Sequence, residues 1–263
     1  MISLRLDSLL AEKMSRMFTQ RVSIQMKIDF KNKRVLVTGG TRGIGRQIAE
    51  DMLDLGATLT VTGKRSHCTF PGVEYMQVDF LDNESTNKFI EVISNQTYDI
   101  CINNAGINKI DSFCDVKRED WDHILKVNLT APFLIQQAVV DNMVKQGYGK
   151  IINIASIWGS ISIAKRAAYS SSKFGLRGLT LASAAELSRF NVLVNTVSPG
   201  FTLTDLTHQV LGPERMQEIS QNIPMGRMAE PAEISRVVLF MASELNSYIS
   251  GQNIIVDGGF VNV

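Results

Sequence analysis

The residues of this chain whose types and spacing most clearly suggest catalysis are Tyr169 and Lys173, with Ser156 upstream of both. If the first two share a helix, the phenol and the ammonium lie on one face, because residues i and i+4 are neighbours there. A nearby positive charge favours the phenolate, so we expect Lys173 to lower the pKa of Tyr169 from its ordinary value of about 10. The Ser156 hydroxyl would hold a substrate oxygen against this phenol. The pattern predicts a proton donor, but the spacing alone equally fits a half-buried tyrosine beside a solvated lysine.

The composition and charge are those of an ordinary globular protein. The 263 residues are 44% hydrophobic and 20% charged, and the net charge is +1. This length is enough for a single domain with a sizeable core. A net charge so close to zero gives no bulk attraction to nucleic acid, and no apolar run approaches the ~18 residues that a membrane helix needs. We therefore expect neither a nucleic-acid partner nor a membrane partner.

The cysteines and histidines are scattered along the chain. They are Cys68, Cys101 and Cys114, and His67, His123 and His208. The cysteines form no closely spaced pair and are odd in number, which indicates a reducing, cytoplasmic location rather than a disulfide framework. The histidines are isolated from one another in sequence, so we expect no metal site.

Residues 1–26 stand apart from the rest of the chain. Apolar residues recur there at helical spacing in a mildly basic segment that lacks the continuous apolar core of a secretory signal. Three interpretations remain open: an additional packing helix, an interfacial helix, or an untranslated leader ahead of a natural start at Met26. Residues 27–263 are expected to form one domain, with no internal repeat or domain break.

A strand, a glycine-rich loop and a helix follow one another from Arg34. Residues 34–38 are an apolar run, glycines cluster at 39–45, and a helical pattern continues to Leu55, before Gly56. Glycines allow a sharp turn and a close approach to a phosphate, whose charge then lies at a helix N-terminus. Such a loop is a weak signal alone, but its context here is the required one. It predicts a dinucleotide-binding loop.

The second strand, residues 57–62, ends beside cations rather than an acid. In dinucleotide-binding folds an acidic residue at this strand end bonds the ribose 2′-hydroxyl, but here Lys64 and Arg65 follow the strand, and Arg42 lies in the first loop. Cations suit a 2′-phosphate, which an acid would repel. We therefore expect NADP(H) rather than NAD(H). The alternative is that these side chains are solvated loop charges.

Two further strands and one buried amide complete the first half of the chain. The third strand, residues 73–78, ends in Asp79, an expected acceptor for the adenine amino group, and a helix should span 83–94. The fourth, residues 98–102, ends in Asn103-Asn104-Ala105-Gly106, where small residues let the backbone lie close to a flat cofactor. Asn128 lies in an apolar stretch of a later helix and must be hydrogen-bonded. It either props the helix or holds a water.

The second half continues the alternation. A fifth strand at 149–156 places Ser156 at its carboxyl end, where open α/β sheets bind ligands, and a long helix from about 167 to 190 carries Tyr169 and Lys173. Strands at 192–197 and 253–256, and a helix from Pro231 to about 243, complete the pattern. The polar connection 201–228 is long enough to be a lid. The alternation predicts an α/β fold, with a doubly wound, mostly parallel sheet of seven strands and helices on both faces.

Taken together, these motifs resemble the short-chain dehydrogenase/reductase family in its compact, single-domain form. The glycine loop from Thr38 to Gly45 is similar to the family's cofactor loop, and residues 103–106 are similar to its sheet motif. The segment Ser198-Pro199-Gly200 with Thr202 is similar to the one that holds the nicotinamide carboxamide. The four residues that match the family's catalytic tetrad in order and spacing are Asn128, Ser156, Tyr169 and Lys173.

The resemblance implies a role for each of these residues. Tyr169 would be the general acid or base, Ser156 would polarise the carbonyl, Asn128 would anchor a water relay, and Lys173 would bind the nicotinamide ribose and depress the pKa of Tyr169. No metal ligand is expected. The cofactor contacts expected from the residues and the resemblance together are Gly39, Thr41, Arg42, Gly43, Ile44, Gly45, Lys64, Arg65, Asp79, Phe80, Asn104, Ala105, Gly106, Tyr169, Lys173, Pro199, Gly200, Thr202 and Thr204.

The substrate is the least determined part. Segments 199–205, 223–227 and 256–259 are similar to 3-oxoacyl-acyl-carrier-protein reductases, but many relatives with other substrates, such as sugar and polyol dehydrogenases, share them. Lys165 and Arg166 depart from the acyl reductase pattern; they would either meet a phosphate or carboxylate or be plain surface charge. We expect an NADP(H)-dependent oxidoreductase that acts on a small or carrier-bound carbonyl, with a sugar or polyol dehydrogenase as the alternative.

The resemblance also implies a homotetramer or homodimer, with the apolar tail at 260–263 near a subunit interface. An alternative of another class is a non-catalytic NADP-binding protein on the same fold. The complete tetrad argues against it, because a binding module has no use for all four side chains.

Overall fold

A computed structural model of the chain describes residues 27–67, 70–204, 207 and 212–262. The interpretations offered for residues 1–26, and the expectations for Cys68, His208 and Val263, lie outside the described residues. Of the other cysteines, Cys101 is buried and Cys114 is exposed, and both are free.

The sheet has seven strands, all parallel, in the order β3-β2-β1-β4-β5-β6-β7. The strand order runs outward in both directions from the junction of β1 and β4, which is where open α/β sheets leave a crevice for a ligand. This confirms the predicted doubly wound sheet. The strands are β1 Arg34–Val37, β2 Thr58–Gly63, β3 Glu74–Gln77, β4 Ile100–Asn103, β5 Gly149–Ile154, β6 Val192–Pro199 and β7 Asn253–Val256.

Helices cover both faces of the sheet. Helices α1 and α7 contribute Ile48, Met52 and Val238 to one hydrophobic cluster, whereas α2 and α4 contribute Phe89 and Val139 to a second. The central strands β4, β5 and β6 are buried along their whole length, as parallel strands covered on both faces must be. The helices are α1 Gly43–Asp54, α2 Asn83–Ser94, α3 Arg118–Leu125, α4 Ala131–Gln146, α5 Ala167–Leu187, α6 Pro213–Gln221 and α7 Pro231–Ala242.

Two local features differ from the sequence expectations. The helical stretch that carries Asn128 is not one regular helix: a π-helical turn, Lys126–Thr130, joins α3 to α4. The connection between β6 and α7 contains the short helix α6, whose residue Ile219 packs with Ile223 and Met228 in a small separate cluster.

The part of the chain that the structure describes contains no helix long and apolar enough to cross a membrane. Within the same ranges, no cluster of histidine, cysteine and acidic side chains could hold a metal ion.

Candidate functional site

The expected site residues collect along the carboxyl edge of the sheet. Each follows a strand end or lies on a helix that begins there, so the parallel topology brings together residues that are far apart in sequence. The glycine loop follows β1, Lys64 and Arg65 lie at the end of β2, Asp79 and Phe80 follow β3, Asn104 to Gly106 follow β4, Ser156 follows β5, and Pro199 to Thr204 end or follow β6.

The glycine loop leaves no room for side chains at two of its positions. Gly39 has a φ of +64°, which L residues rarely adopt. A Cβ placed on Gly45 would lie 2.5 Å from the carbonyl oxygen of Gly39 and would also overlap the side-chain amide of Asn104. The loop can therefore approach a bound group with bare backbone at the N-terminus of α1, which fits a pyrophosphate.

Asn104 ties the end of β4 to the end of β1. Its Nδ2 donates to the carbonyl oxygens of Thr38, at 3.0 Å, and Gly39, at 3.1 Å. The Thr38 hydroxyl oxygen in turn accepts the backbone N–H groups of Asn104, at 3.0 Å, and Ala105, at 3.1 Å. The asparagine thus satisfies backbone groups where the two strands part, and it holds the crevice between them in a fixed shape.

Cations gather at the end of β2, as the sequence suggested, but one of them is already paired. Lys64 Nζ lies 2.8 Å from the Asp79 carboxylate, which also accepts the Leu81 backbone N–H. Burial alone would raise the pKa of Asp79, but hydrogen bonds from Lys64 and Leu81 outweigh it and hold the pKa below its ordinary value. Arg42 and Arg65 are exposed. The residues present therefore fit a phosphorylated ribose, with the arginines as the more available cations.

Phe80, expected among the cofactor contacts, points into the core. Its ring is buried and packs edge-to-face on Phe89, with centroids 5.8 Å apart. Only its backbone is left to face a ligand.

Asn128 is fully buried within the π-helical turn. Its Oδ1 accepts the Ile107 backbone N–H at 2.8 Å, and its Nδ2 donates to the Ile107 carbonyl at 2.9 Å and to Ser172 Oγ at 3.0 Å. The amide thus holds the loop after β4 against α5. Extra backbone in the turn lets this side chain face the site. A Cβ on Gly106 would lie 3.4 Å from Asn128 Oδ1 and 3.6 Å from Lys173 Nζ, so all three groups meet.

Ser156 and Tyr169 lie close together at the carboxyl edge of the sheet. Ser156 Oγ accepts the Trp158 backbone N–H at 3.2 Å, which leaves its own O–H free to donate to the Tyr169 phenol oxygen. Burial raises the pKa of Tyr169 above 10, while the hydrogen bond from Ser156 and the charge of Arg166 act in the opposite direction. The phenol is therefore protonated near neutral pH.

The expectation that Lys173 lowers the pKa of Tyr169 is wrong for this structure. Lys173 is buried, and its ammonium donates to the Ile154 carbonyl of β5 at 2.9 Å rather than to the phenol. Burial lowers the pKa of Lys173 to about 8, so this ammonium is itself destabilised. The cation that favours the phenolate is Arg166, one helical turn before Tyr169.

The loop after β6 closes the site from the other side. Gly200 donates its N–H to the Val256 carbonyl at 2.9 Å, and a Cβ there would lie 2.8 Å from the Asp257 backbone. Thr202 Oγ1 lies 3.3 Å from the Gly200 carbonyl, and Thr204 lies against Gly43 of the glycine loop. The expected carboxamide segment and the phosphate loop are therefore adjacent.

An aromatic group beside the tyrosine was not expected from the sequence. Trp158, two residues after Ser156, is buried and stands edge-to-face against Phe201 and Phe260, with ring centroids 6.2 and 6.3 Å away. Phe260, in the tail expected near a subunit interface, is half-buried and packs on Trp158 and Phe201 of its own chain. Trp158 follows a serine that the pattern singled out, and that nearness was the only available signal.

Comparisons with known proteins agree on what this chain is similar to. A family model described as enoyl-(acyl carrier protein) reductase matches residues 39–261. The 3-oxoacyl-(acyl-carrier-protein) reductase of Aquifex aeolicus is 42% identical over 247 residues, which cover 89% of this chain and 99% of the relative. A 3alpha-hydroxysteroid dehydrogenase of Mediterraneibacter gnavus is 34% identical over 243 residues, which cover 87% of this chain and 96% of the relative.

Solved structures give the same result. The crystal structure of a gluconate 5-dehydrogenase from Burkholderia cenocepacia, in complex with NADP and tartrate, superposes with a TM-score of 0.83 at 26% identity. The match covers 90% of this chain and 98% of that one.

Proposed function

The chain belongs to the short-chain dehydrogenase/reductase family, and from that premise we propose that it interconverts a ketone and a secondary alcohol with NADP(H), using Tyr169 as the acid and base. Members of the family are oxidoreductases that act on CH–OH and C=O groups with a nicotinamide cofactor. The observation that carries the proposal is the placement of the Ser156 hydroxyl close enough to the Tyr169 phenol, at the carboxyl edge of the sheet, to favour the phenolate.

The proton chemistry follows from the state of the phenol. Because burial raises the pKa of Tyr169 from its ordinary value, the protonated phenol is favoured, and it can give its proton to an oxygen that becomes negative during reduction. Ser156 would share that oxygen, since its O–H already points to the same place. In the reverse direction the phenolate would take the proton of the alcohol. The bound cofactor supplies or accepts the hydride.

Lys173 and Asn128 have supporting roles in this proposal. Lys173 projects from the same face of α5 as Tyr169, one turn on, and its buried ammonium would bind the nicotinamide ribose. Asn128 fixes the loop after β4 against α5, so that Gly106 and Lys173 keep their spacing. The remaining expected cofactor contacts line the crevice between the glycine loop and the segment after β6.

The preference for NADP(H) over NAD(H) rests on charge. Arg42 and Arg65 are exposed on either side of the end of β2, and both are free to meet a 2′-phosphate with charge-assisted hydrogen bonds. Asp79, the acid after β3, is paired with Lys64. The solved relative from Burkholderia cenocepacia was obtained with NADP, which supports the same choice.

We favour a 3-oxoacyl group, small or carrier-bound, as the substrate. The relative with 42% identity is a 3-oxoacyl-(acyl-carrier-protein) reductase. A sugar or polyol dehydrogenase is the second candidate, and the structural likeness to a gluconate 5-dehydrogenase supports it. We also propose a homotetramer or homodimer, since Phe133 on α4 and Phe174 and Leu181 on α5 expose apolar surface. Light scattering that gives a monomer mass would contradict this assembly. A cytoplasmic location is proposed separately, from the odd number and wide spacing of the cysteines.

The experiment that tests the activity replaces one hydroxyl. Tyr169→Phe should bind NADPH as the unchanged protein does, but its kcat for ketone reduction should fall by about 10²–10⁴, the usual contribution of a general acid. Tyr248→Phe is the matched control, since Tyr248 is 97% exposed. NADPH fluorescence titration and NADPH oxidation with 3-oxoacyl thioesters and keto sugars measure the two effects.

Two results would overturn the proposal. Full turnover by the Tyr169→Phe variant would remove Tyr169 from its role. Tight NADPH binding without oxidation of any ketone in a broad panel would instead favour the non-catalytic NADP-binding protein.

A further inference from the structure

Arg166 occupies a place beside the proposed general acid that the chemistry described so far does not use. It is the residue that precedes α5, and its carbonyl oxygen accepts the Ser170 N–H at 2.7 Å, so it lies one turn before Tyr169. Its guanidinium carbon lies 5.8 Å from the centre of the Trp158 ring, within the range of a cation–π contact. The charge is therefore fixed in position next to the phenol.

One nitrogen of this guanidinium is buried without a partner. Nη1 of Arg166 has almost no solvent contact and no hydrogen bond to any described residue. An aromatic face is a weak acceptor and does not replace an oxygen. Burying a charged donor in this way is costly unless a partner arrives. An unsatisfied charged donor at the edge of an active site is expected where a bound substrate supplies the missing hydrogen-bond acceptor.

The neighbouring arginine and lysine differ in this respect. Lys165 is exposed, so water satisfies its ammonium. Arg177 donates to the Gly159 carbonyl at 2.7 Å and is thereby part of the fold. Among these three residues, Arg166 is the one that combines a buried nitrogen, Nη1, with an open hydrogen-bond position near Tyr169.

The geometry selects the chemistry of the partner. Tyr169 and Ser156 would take the oxygen of the reacting ketone, and Arg166 lies one helical turn away on the same side. A ligand that satisfies both therefore carries a second acceptor oxygen a few bonds from its ketone. A guanidinium favours a planar acceptor, either a carboxylate or a carbonyl oxygen. The acyl carbon of a 3-oxoacyl group, one methylene from the ketone, places its oxygen in this way.

We propose that Arg166 is a specificity residue that binds the acyl oxygen of a 3-oxoacyl substrate through Nη1, while Tyr169 and Ser156 hold the ketone. The proposal rests on the function proposed above and names its substrate class: a ketone with an acyl oxygen on the carbon two bonds away. That oxygen belongs either to a thioester or to a free carboxylate.

Three substrates of matched skeleton test the pairing. They are the N-acetylcysteamine thioester of 3-oxobutanoate, 3-oxobutanoate itself, and 2-pentanone, which lacks the acyl oxygen. The value of kcat/KM is measured with NADPH for the unchanged protein and for Arg166→Gln. Where 2-pentanone is reduced too slowly, its inhibition constant against the thioester replaces kcat/KM.

Arg166→Gln should lower kcat/KM by about 10- to 100-fold for at least one acyl-bearing substrate and by less than about threefold for 2-pentanone, because only the former loses a charge-assisted hydrogen bond. A larger loss for the thioester indicates a carrier-bound or coenzyme-bound acyl group, and a larger loss for 3-oxobutanoate indicates a free oxo acid. Arg166→Lys should recover part of the loss. Arg189→Gln, the same substitution at an exposed arginine beyond the other end of α5, should leave kcat/KM unchanged for all three substrates.

The outcomes separate this inference from the proposed function. Equal losses on all three substrates, together with a pH profile moved to higher pH for each, would show that Arg166 acts only through Tyr169 and would overturn the inference. Unchanged kinetics in Arg166→Gln would also overturn it. Failure of the unchanged protein to reduce any ketone, by contrast, would count against the proposed function itself.

Discussion

The ammonium of Lys173 lies 5.7 Å from the centre of the Tyr169 ring, one turn further along α5. The two side chains share a helix face as an i and i+4 pair should, yet the ammonium turns to the carbonyl oxygen of Ile154. Proximity along a helix therefore did not produce the direct contact that would lower the pKa of the phenol. The serine at the end of β5 makes that contact instead.

Ser156→Ala should move the pH dependence of alcohol oxidation to higher pH. The hydrogen bond from Ser156 lowers the pKa of Tyr169, so its loss raises that pKa, and the phenolate needed for oxidation then forms only at higher pH. We also expect kcat to fall by about 10²–10³, as for other lost oxyanion donors. Rate profiles from pH 7 to 11 measure both. Ser171→Ala, at an exposed serine of α5, should leave the profile in place, and a shift of the Ser156→Ala profile to lower pH would contradict the assignment.

Removing Arg42 and Arg65 together should reduce the preference for NADPH. Each arginine would contribute a charge-assisted hydrogen bond to the 2′-phosphate, so Arg42→Ser with Arg65→Ser should lower kcat/KM for NADPH by about 10- to 100-fold. The value for NADH should change by less than about threefold. Arg118→Ser, at an arginine whose side chain is 87% exposed on α3, is the control. If kcat/KM of the unchanged protein is higher with NADH than with NADPH, the assignment of Arg42 and Arg65 to the 2′-phosphate is wrong.

Asn128→Ala should destabilise the fold as well as the site. The substitution leaves the N–H and C=O of the half-buried Ile107 without their partners, and each group left unsatisfied costs up to about 1–3 kcal/mol. We expect the free energy of unfolding to fall by about 2–4 kcal/mol, measured by urea denaturation. Asn83→Ala, on the exposed start of α2, should change it by no more than about 0.5 kcal/mol. A stable Asn128→Ala variant that is merely inactive would assign this amide to chemistry alone.

Gly45→Ala should remove cofactor binding and destabilise the protein. The new methyl would overlap the carbonyl of Gly39 and the amide of Asn104, and overpacking of this kind costs about 1–3 kcal/mol. Gly178→Ala is the control variant, since a Cβ there meets nothing within 4 Å. This substitution should stabilise α5 by up to about 1 kcal/mol. Thermal unfolding and NADPH titration distinguish the two. Normal NADPH affinity in Gly45→Ala would show that the loop does not approach the phosphates.

The architecture was predictable because it depends on local periodicity. Helix α2 and strand β7 have the bounds that the sequence indicated, and the continuous apolar runs of β5 and β6 could only be strands buried on both faces. Positions at strand ends followed from the parallel topology. The order of Ser156, Tyr169 and Lys173 then sufficed to place all three at one edge.

Side-chain direction was not predictable in the same way. The hydrogen bond from Lys173 to Ile154 and the cation–π contact of Arg166 with Trp158 join residues from different elements, and neither leaves a repeating signal. The π-helical turn at Lys126–Thr130 also leaves no signal in the sequence. One extra residue in a helical turn changes the direction in which Asn128 points, but it does not change the amino-acid composition of the segment.

The hydrogen bonds that Asn104 donates to Thr38 and Gly39 affect how a nucleotide binds. Since the amide already ties the end of β4 to the end of β1, the crevice has its shape before a nucleotide enters, and binding does not require the sheet to open. Binding then needs little rearrangement of the main chain, so the ends of β1 and β4 should occupy the same positions in a crystal structure with NADPH bound as in one without it.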